Sequence, residues 1–185
     1  CLILSIGGCS CGFDCNSNDD TSSNDDPALL TLGFSDSLPE DLQEVVIEVD
    51  SISFRRSGTE AFVVNDFTIG GVEDLQAFKV DLLKYPGASQ LVVIEDLELD
   101  AGTYEVSIAI LDDDVNNSNV LEADDVRRAL TVSGGVLTLQ GMQLTAGSQA
   151  FTIEFGLAQA LQFQTATGSY LLATDGIRIE NNLTG

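Results

Sequence analysis

Apolar and polar residues alternate along most of the chain from residue 28 onward. Successive side chains of a β-strand point to opposite faces of the sheet, so this period of two predicts strands with one buried face. The clearest runs cover residues 45–49, 78–82, 104–110 and 151–157, with shorter ones at 137–139 and 177–179. Gly, Asp, Asn and Ser separate them, as they do in turns. The pattern predicts an all-β, antiparallel β-sandwich or barrel.

The run at residues 45–49 changes phase. Val45, Ile47 and Val49 share a face, but Ile52 and Phe54 join it only if one residue is inserted, which predicts a β-bulge near residues 50–51. A Ser-Gly-Thr turn at residues 57–59 should lead into a partner strand covering residues 61–64. No segment has helical periodicity, although the chain allows a helical turn at residues 39–43 or 124–128.

The chain divides into three parts: residues 1–15, a polar linker at residues 16–27, and a β-sandwich domain at residues 28–185. The first part carries an apolar run and all four cysteines. Apolar surface outside a core is costly, so the run predicts an attachment or assembly segment and gives the sandwich an extended N-terminal tail. Its candidate residues are Cys1, Leu2, Ile3, Leu4 and Ile6.

The cysteines predict an environment outside the cytoplasm. Cys1 fits the first residue of a processed chain, where a lipid anchor would be attached. As an alternative, residues 6–9 are similar to the box at which bacterial lipoprotein precursors are cleaved. Cys9, Cys11 and Cys15 are candidates for disulfides within the tail or to another chain. All of these interpretations predict an extracellular or cell-surface protein.

Charge excludes one class of partner. Seven basic residues face thirty acidic ones, giving a net charge of -23, so a nucleic-acid backbone would be repelled. The chain has no histidine, the commonest general base, and no Walker, G-x-S-x-G or G-x-G-x-x-G motif. These features predict a protein that is not an enzyme.

One segment is rich in oxygen ligands. Asp112, Asp114 and Asn116 follow the D-x-[DN]-x-[DN] spacing that opens a calcium loop. The pattern fails at its twelfth position, which is Ala123. The segment is therefore either a calcium site or a solvated acidic turn. The candidate ligands are Asp112, Asp114, Asn116, Ser118, Glu122 and Asp124.

Six segments, in this order and spacing, carry a family resemblance: residues 32–37, 42–54, 80–83, 99–104, 168–172 and 177–179. The most distinctive is Ala101-Gly-Thr-Tyr104. Together they resemble a family of bacterial and archaeal surface lipoprotein domains of unknown function. The resemblance implies an immunoglobulin-like or transthyretin-like sandwich tethered through an N-terminal lipid cysteine. It implies no catalytic residue.

Two functions fit these observations. In the first, the chain is a non-catalytic extracellular structural subunit of a self-assembling fibre or pilus. Its N-terminal apolar strand packs into a neighbouring copy, with Leu2, Leu4 and Ile6 alternating with Ile3 and Ser5. In the alternative, it is a lipid-anchored cell-surface module that binds calcium, a glycan or a protein. A surface hydrolase would need a cleft of paired acids, which the sequence does not reveal.

Overall fold

The computed structural model describes residues 27–37 and 41–182. Its strands, in chain order, are β1 (Ala28–Asp36), β2 (Leu42–Arg56), β3 (Phe62–Val64), β4 (Phe67–Ile69), β5 (Val72–Leu75), β6 (Phe78–Asp81), β7 (Leu91–Leu99), β8 (Gly102–Leu111), β9 (Asn119–Glu122), β10 (Arg127–Val132), β11 (Val136–Leu144), β12 (Gly147–Phe155), β13 (Leu161–Gln164), β14 (Ser169–Leu172) and β15 (Ile177–Asn181). Single 3₁₀ turns lie at Leu82–Lys84 and Ser133–Gly135, and one helical turn, α1, at Leu157–Ala160. The predicted all-β sandwich is confirmed.

The smaller of the two main sheets has the order β15-β12-β1-β7. Strand β1 is one of its two interior strands and runs parallel to β12 and antiparallel to β7. The first strand of the described chain therefore occupies the interior of this sheet. Because β1 fills the position between β7 and β12, the domain completes this sheet with its own chain.

The larger sheet follows the order β11-β8-β2-β9-β10-β14-β13, with β3 and β6 also pairing with β2. Both β8 and β9 pair with β2, and residues 112–118 leave the sheet between them. Further from β2, β10 pairs with β9, and β11 pairs with β8. Strands β4 and β5 form a separate hairpin.

The core lies between the two main sheets. Phe34 of β1 is fully buried, with its ring centroid 5.4 Å from that of Phe155 and 6.3 Å from that of Phe78. Phe155 belongs to the same sheet as Phe34, whereas Phe78 belongs to the large sheet. Phe67 packs on Phe78 at 4.8 Å, which joins the β4–β5 hairpin to the same cluster. Aromatic side chains from three sheets thus meet around β1.

Local predictions are confirmed where the alternation is long. The β2–β8 register shifts between Val49 and Ser51, as the phase change predicts, and β3 pairs with β2 after the turn. Other local predictions are wrong. Residues 123–125 form a turn rather than a helix, and Leu42 and Gln43 belong to β2. Two pairings, β1–β12 and β10–β14, are parallel rather than antiparallel.

Candidate functional site

Four of the candidate calcium ligands lie in or next to the excursion between β8 and β9. Asp114 Oδ1 accepts hydrogen bonds from the backbone N–H of Asn116 at 2.7 Å and from its side-chain amide at 2.6 Å. Asp112 Oδ2 accepts from the backbone N–H of Val132 at 2.6 Å. The backbone oxygen of Asn116 accepts from Lys79 Nζ at 2.5 Å. These oxygens hold the loop together and tie it to the neighbouring strands.

Ser118 closes this loop. Its side chain is buried, and its hydroxyl donates to the Leu111 carbonyl at 2.6 Å and accepts from the Glu48 N–H at 3.0 Å. The hydroxyl therefore replaces the backbone hydrogen bonds that β2 and β8 lose where the excursion begins. It is a structural clamp in this geometry.

The other two candidate ligands lie beyond β9 or at its end. Glu122 accepts from Arg128 Nε at 2.7 Å and from the Tyr170 hydroxyl at 2.8 Å, and the guanidinium of Arg128 lies 5.2 Å from the Phe163 ring centroid. Hydrogen bonds from Arg128 and Tyr170 lower the pKa of Glu122. Burial, together with the hydrogen bond to Glu122, raises the pKa of Tyr170 to about 12. Asp124 accepts from the Val126 N–H at 3.4 Å in the following turn.

Within residues 27–37 and 41–182, no three acidic or cysteine side chains are grouped so that they could hold a metal ion. The loop ligands and Glu122 are engaged in separate networks. Calcium binding by Asp112, Asp114, Asn116, Ser118, Glu122 and Asp124 stays a prediction.

A calcium site of the weak extracellular class, with a dissociation constant of about 1 mM, should stabilise the protein by about 1.4 kcal/mol at roughly 10 mM calcium. We expect calcium to raise the melting temperature, EDTA to lower it, and Asp114→Asn to remove the response. Differential scanning calorimetry measures this, with the exposed Asp50→Asn as the matched control. A melting temperature that is the same in EDTA and in calcium would show that the loop is a solvated acidic turn.

The Ala101-Gly-Thr-Tyr104 motif forms a corner at the start of β8. The hydroxyl of the buried Tyr104 donates to the Asp100 carbonyl at 2.9 Å, and Arg56 Nη1 donates to the Ala101 carbonyl at 3.1 Å. A Cβ on Gly102 would lie 2.8 Å from Arg56 Cδ, so a glycine allows this close approach. The motif has a structural explanation in these contacts.

A cleft of about 580 Å³ opens beside this corner on the face of β2, β8 and β11. Across it, Glu105 accepts hydrogen bonds from Gln140 and Arg55, and these bonds lower its pKa. Thr59 and Thr103 also line the cleft. Its polar groups could hydrogen-bond a polar ligand.

Asp36, at the end of β1, was not singled out by the sequence. Its side chain is fully buried, and neither carboxylate oxygen has a hydrogen bond of standard geometry within the described residues. Burial raises the pKa of Asp36 to about 6, against the backbone amides of Leu157 and Ser37, which lower it. The nearby charge of Glu154 raises it further. The short Phe-Ser-Asp-Ser sequence looks like a strand end followed by a turn, and it gives no signal of this burial.

Charge is distributed very unevenly. Between Ala129 and Thr174 the sequence contains one charged residue, Glu154, although the whole chain carries a net charge of -23. This stretch includes β11, β13 and β14. Within the described part of the chain β11 pairs only with β8 and β13 only with β14, so both lie at edges of the large sheet. The large sheet thus has two uncharged edges.

The edges of the small sheet are different. Strand β7 carries Glu95, Asp96 and Glu98, and Asp96 adopts a φ of +50° where the register with β1 is irregular. Strand β15 carries Arg178 and Glu180. Charges and irregular register on edge strands hinder pairing with another chain. Both edge strands of the small sheet are therefore charged, whereas β11 and β13 of the large sheet are not.

The predicted attachment residues and the disulfide candidates Cys9, Cys11 and Cys15 lie outside the described residues. The described chain starts at Pro27, whose carbonyl accepts from the Gly147 N–H at 3.2 Å. No helix in residues 27–37 or 41–182 is long and apolar enough to cross a bilayer.

The strand architecture defines an all-β sandwich domain, and hydrogen bonds between polar side chains join its loops to its strands. The family model for a domain of unknown function, DUF4382, matches residues 27–174, and the chain belongs to this family. The comparisons with curated proteins and with solved structures found no match.

Proposed function

We propose that the chain is a non-catalytic extracellular structural protein that assembles with copies of itself, as a subunit of a surface fibre or pilus. The distribution of charge supports this most directly. Copies with a net charge of -23 repel one another over most of their surface. The uncharged strands at two edges of the large sheet are the places where copies can approach without that repulsion.

The N-terminal apolar segment has a specific role in this proposal. Leu2, Leu4 and Ile6 of one copy pack against a sheet edge of the next, and the linker at residues 16–27 provides the reach. The contact is made at an edge because β1 already occupies the interior of the small sheet. Disulfides of Cys9, Cys11 and Cys15 would then fix the joint.

We expect Leu4→Asp in the full chain to abolish polymers, because it places a charge on the apolar face of the donated strand. Ser5→Asp, on the opposite face, is the matched control and should leave them intact. Electron microscopy and light scattering after size exclusion measure the difference. Polymers that survive Leu4→Asp would contradict a role for the N-terminal strand, and a monomeric parent chain would contradict assembly itself.

The second candidate is a cell-surface binding module anchored by a lipid on Cys1. The polar cleft lined by Arg55, Glu105 and Gln140 favours it, because these side chains converge on one opening. In this case Cys1→Ser releases the protein from membranes without changing its oligomeric state. Arg55→Ala and Gln140→Ala then weaken binding in a glycan screen, and the exposed Asp50→Asn does not.

A further inference from the structure

The strands at the edges of the large sheet are not equally open. Strand β11 is interrupted by a register shift between Leu139 and Met142, and β15 of the small sheet packs beside it. Strand β3 is three residues long and lies between Glu60 and Asp66. Strand β6 carries Lys79 and Asp81. Each of these edges is less suited to pairing with its own copy in a second molecule, because of a bulge, a neighbouring strand or charge.

Within residues 27–37 and 41–182, strand β13 has no bulge, no covering strand and no charged residue of its own, although it is short. Its four residues pair with β14 without a register shift, and no charged residue lies between Phe155 and Thr174. Phe163 in the middle of the strand is 44% exposed. The ring centroids of Phe163 and Tyr170 lie 5.2 Å apart. The guanidinium carbon of Arg128 lies over the Phe163 ring, also 5.2 Å from its centroid. A fixed, exposed aromatic side chain on an uncharged edge is typical of an interface.

A second copy of this chain is the partner that fits this edge. An uncharged strand is the partner that fits, since β13 offers backbone hydrogen bonds and an apolar side chain, and Arg128 beside Phe163 is already paired with Glu122. The same edge of another copy meets that requirement, and a two-fold axis brings two identical surfaces together. Most other surfaces of a copy carry the acidic charge and would face repulsion.

We propose that the β13 strands of two copies pair antiparallel across a two-fold axis, with the two Phe163 rings packed side by side on one face of the joined sheet. The contact joins the large sheets of the two copies into one. It rests on the proposed self-assembly, and it leaves β11, the other uncharged edge strand of the large sheet, for the N-terminal strand of a neighbouring copy.

The test uses the full chain and analytical ultracentrifugation. Phe163→Glu should raise the dimer dissociation constant by about tenfold or more, because it puts a charge at the centre of the contact. Phe62→Glu is the matched control, since Phe62 is 47% exposed on the competing edge strand β3. A dimer that is lost in Phe62→Glu and kept in Phe163→Glu would overturn the proposal.

Paired charges at Gln162 test the two-fold geometry without touching a packed side chain, since this residue is exposed. Gln162→Lys and Gln162→Glu should each weaken the dimer, and an equal mixture should restore it through opposite charges. Failure of the mixture to restore association would exclude a contact between two β13 strands.

The same series separates this inference from the proposed function. Fibres that are lost in Leu4→Asp, together with dimers that persist in Phe163→Glu, would leave the function standing and overturn the β13 contact. Dimers lost only in Phe163→Glu, with assembly unchanged in Leu4→Asp, would support the β13 contact and contradict the donated strand.

Discussion

Asp36→Asn should gain about 2 kcal/mol of unfolding free energy relative to the parent protein as the pH rises from 4 to 7.5. Burial raises the pKa of Asp36 from 3.8 to about 6 in the folded state, so the folded protein holds this proton more tightly than the unfolded chain does. The stabilisation from the bound proton is complete below pH 4 and is lost as the pH rises through 6. Asn cannot ionise, so the variant avoids that loss.

Urea titrations of the parent and the variant at pH 4, 5, 6 and 7.5 measure this difference. Asp50→Asn, at an exposed position of β2, is the control and should track the parent at every pH. The prediction concerns the pH dependence of the difference rather than its sign at one pH, because a buried Asn side chain also needs hydrogen-bond partners. A difference between Asp36→Asn and the parent that stays constant with pH would show that Asp36 is ionised in the folded protein much as it is in the unfolded chain.

Phe34→Ala should cost about 4 kcal/mol of unfolding free energy. The side chain is fully buried and packs against Phe155 of its own sheet and Phe78 of the other, so its removal leaves a cavity at the junction of the sheets. A typical domain has a total stability of about 5–15 kcal/mol, so the loss is a large fraction of it.

Denaturant unfolding monitored by circular dichroism measures the effect of Phe34→Ala. Phe62→Ala is the matched control, because it removes the same side chain from a site that is 47% exposed. The control should cost clearly less, about 1–2 kcal/mol, because only about half of this side chain is buried. Equal losses in the two variants would contradict the central position of β1 in the core.

Alternation in the sequence predicted the strands with one buried face. In β2, β8 and β12 it also identified which residues point inward, and in β2 it located the bulge after Val49. These features are local, since a two-residue period records burial on one face. The same reasoning placed Leu82 and Leu157 in strands, although each begins a short helical turn. Both leucines are buried and continue the alternation, so the period of two does not show where the strand ends.

Strand order could not be predicted in the same way. The parallel pairing of β1 with β12 joins residues more than a hundred positions apart, and no periodicity records such a partner. The burial of Asp36 and the open edge at β13 both depend on that order. The nearly uncharged stretch between Ala129 and Thr174 is visible in the sequence. That it supplies two edge strands of the large sheet, β11 and β13, follows only from the strand order.

In the proposed attachment through the N-terminal segment, the interior position of β1 has a mechanical consequence. Tension applied to the chain before Pro27 and directed along β1 reaches a strand that is hydrogen-bonded on both flanks. The bonds to β12 and β7 are then strained together in shear, rather than opened one after another as in the peeling of an edge strand. The domain should therefore withstand a pulling force applied through β1 better than its modest size suggests.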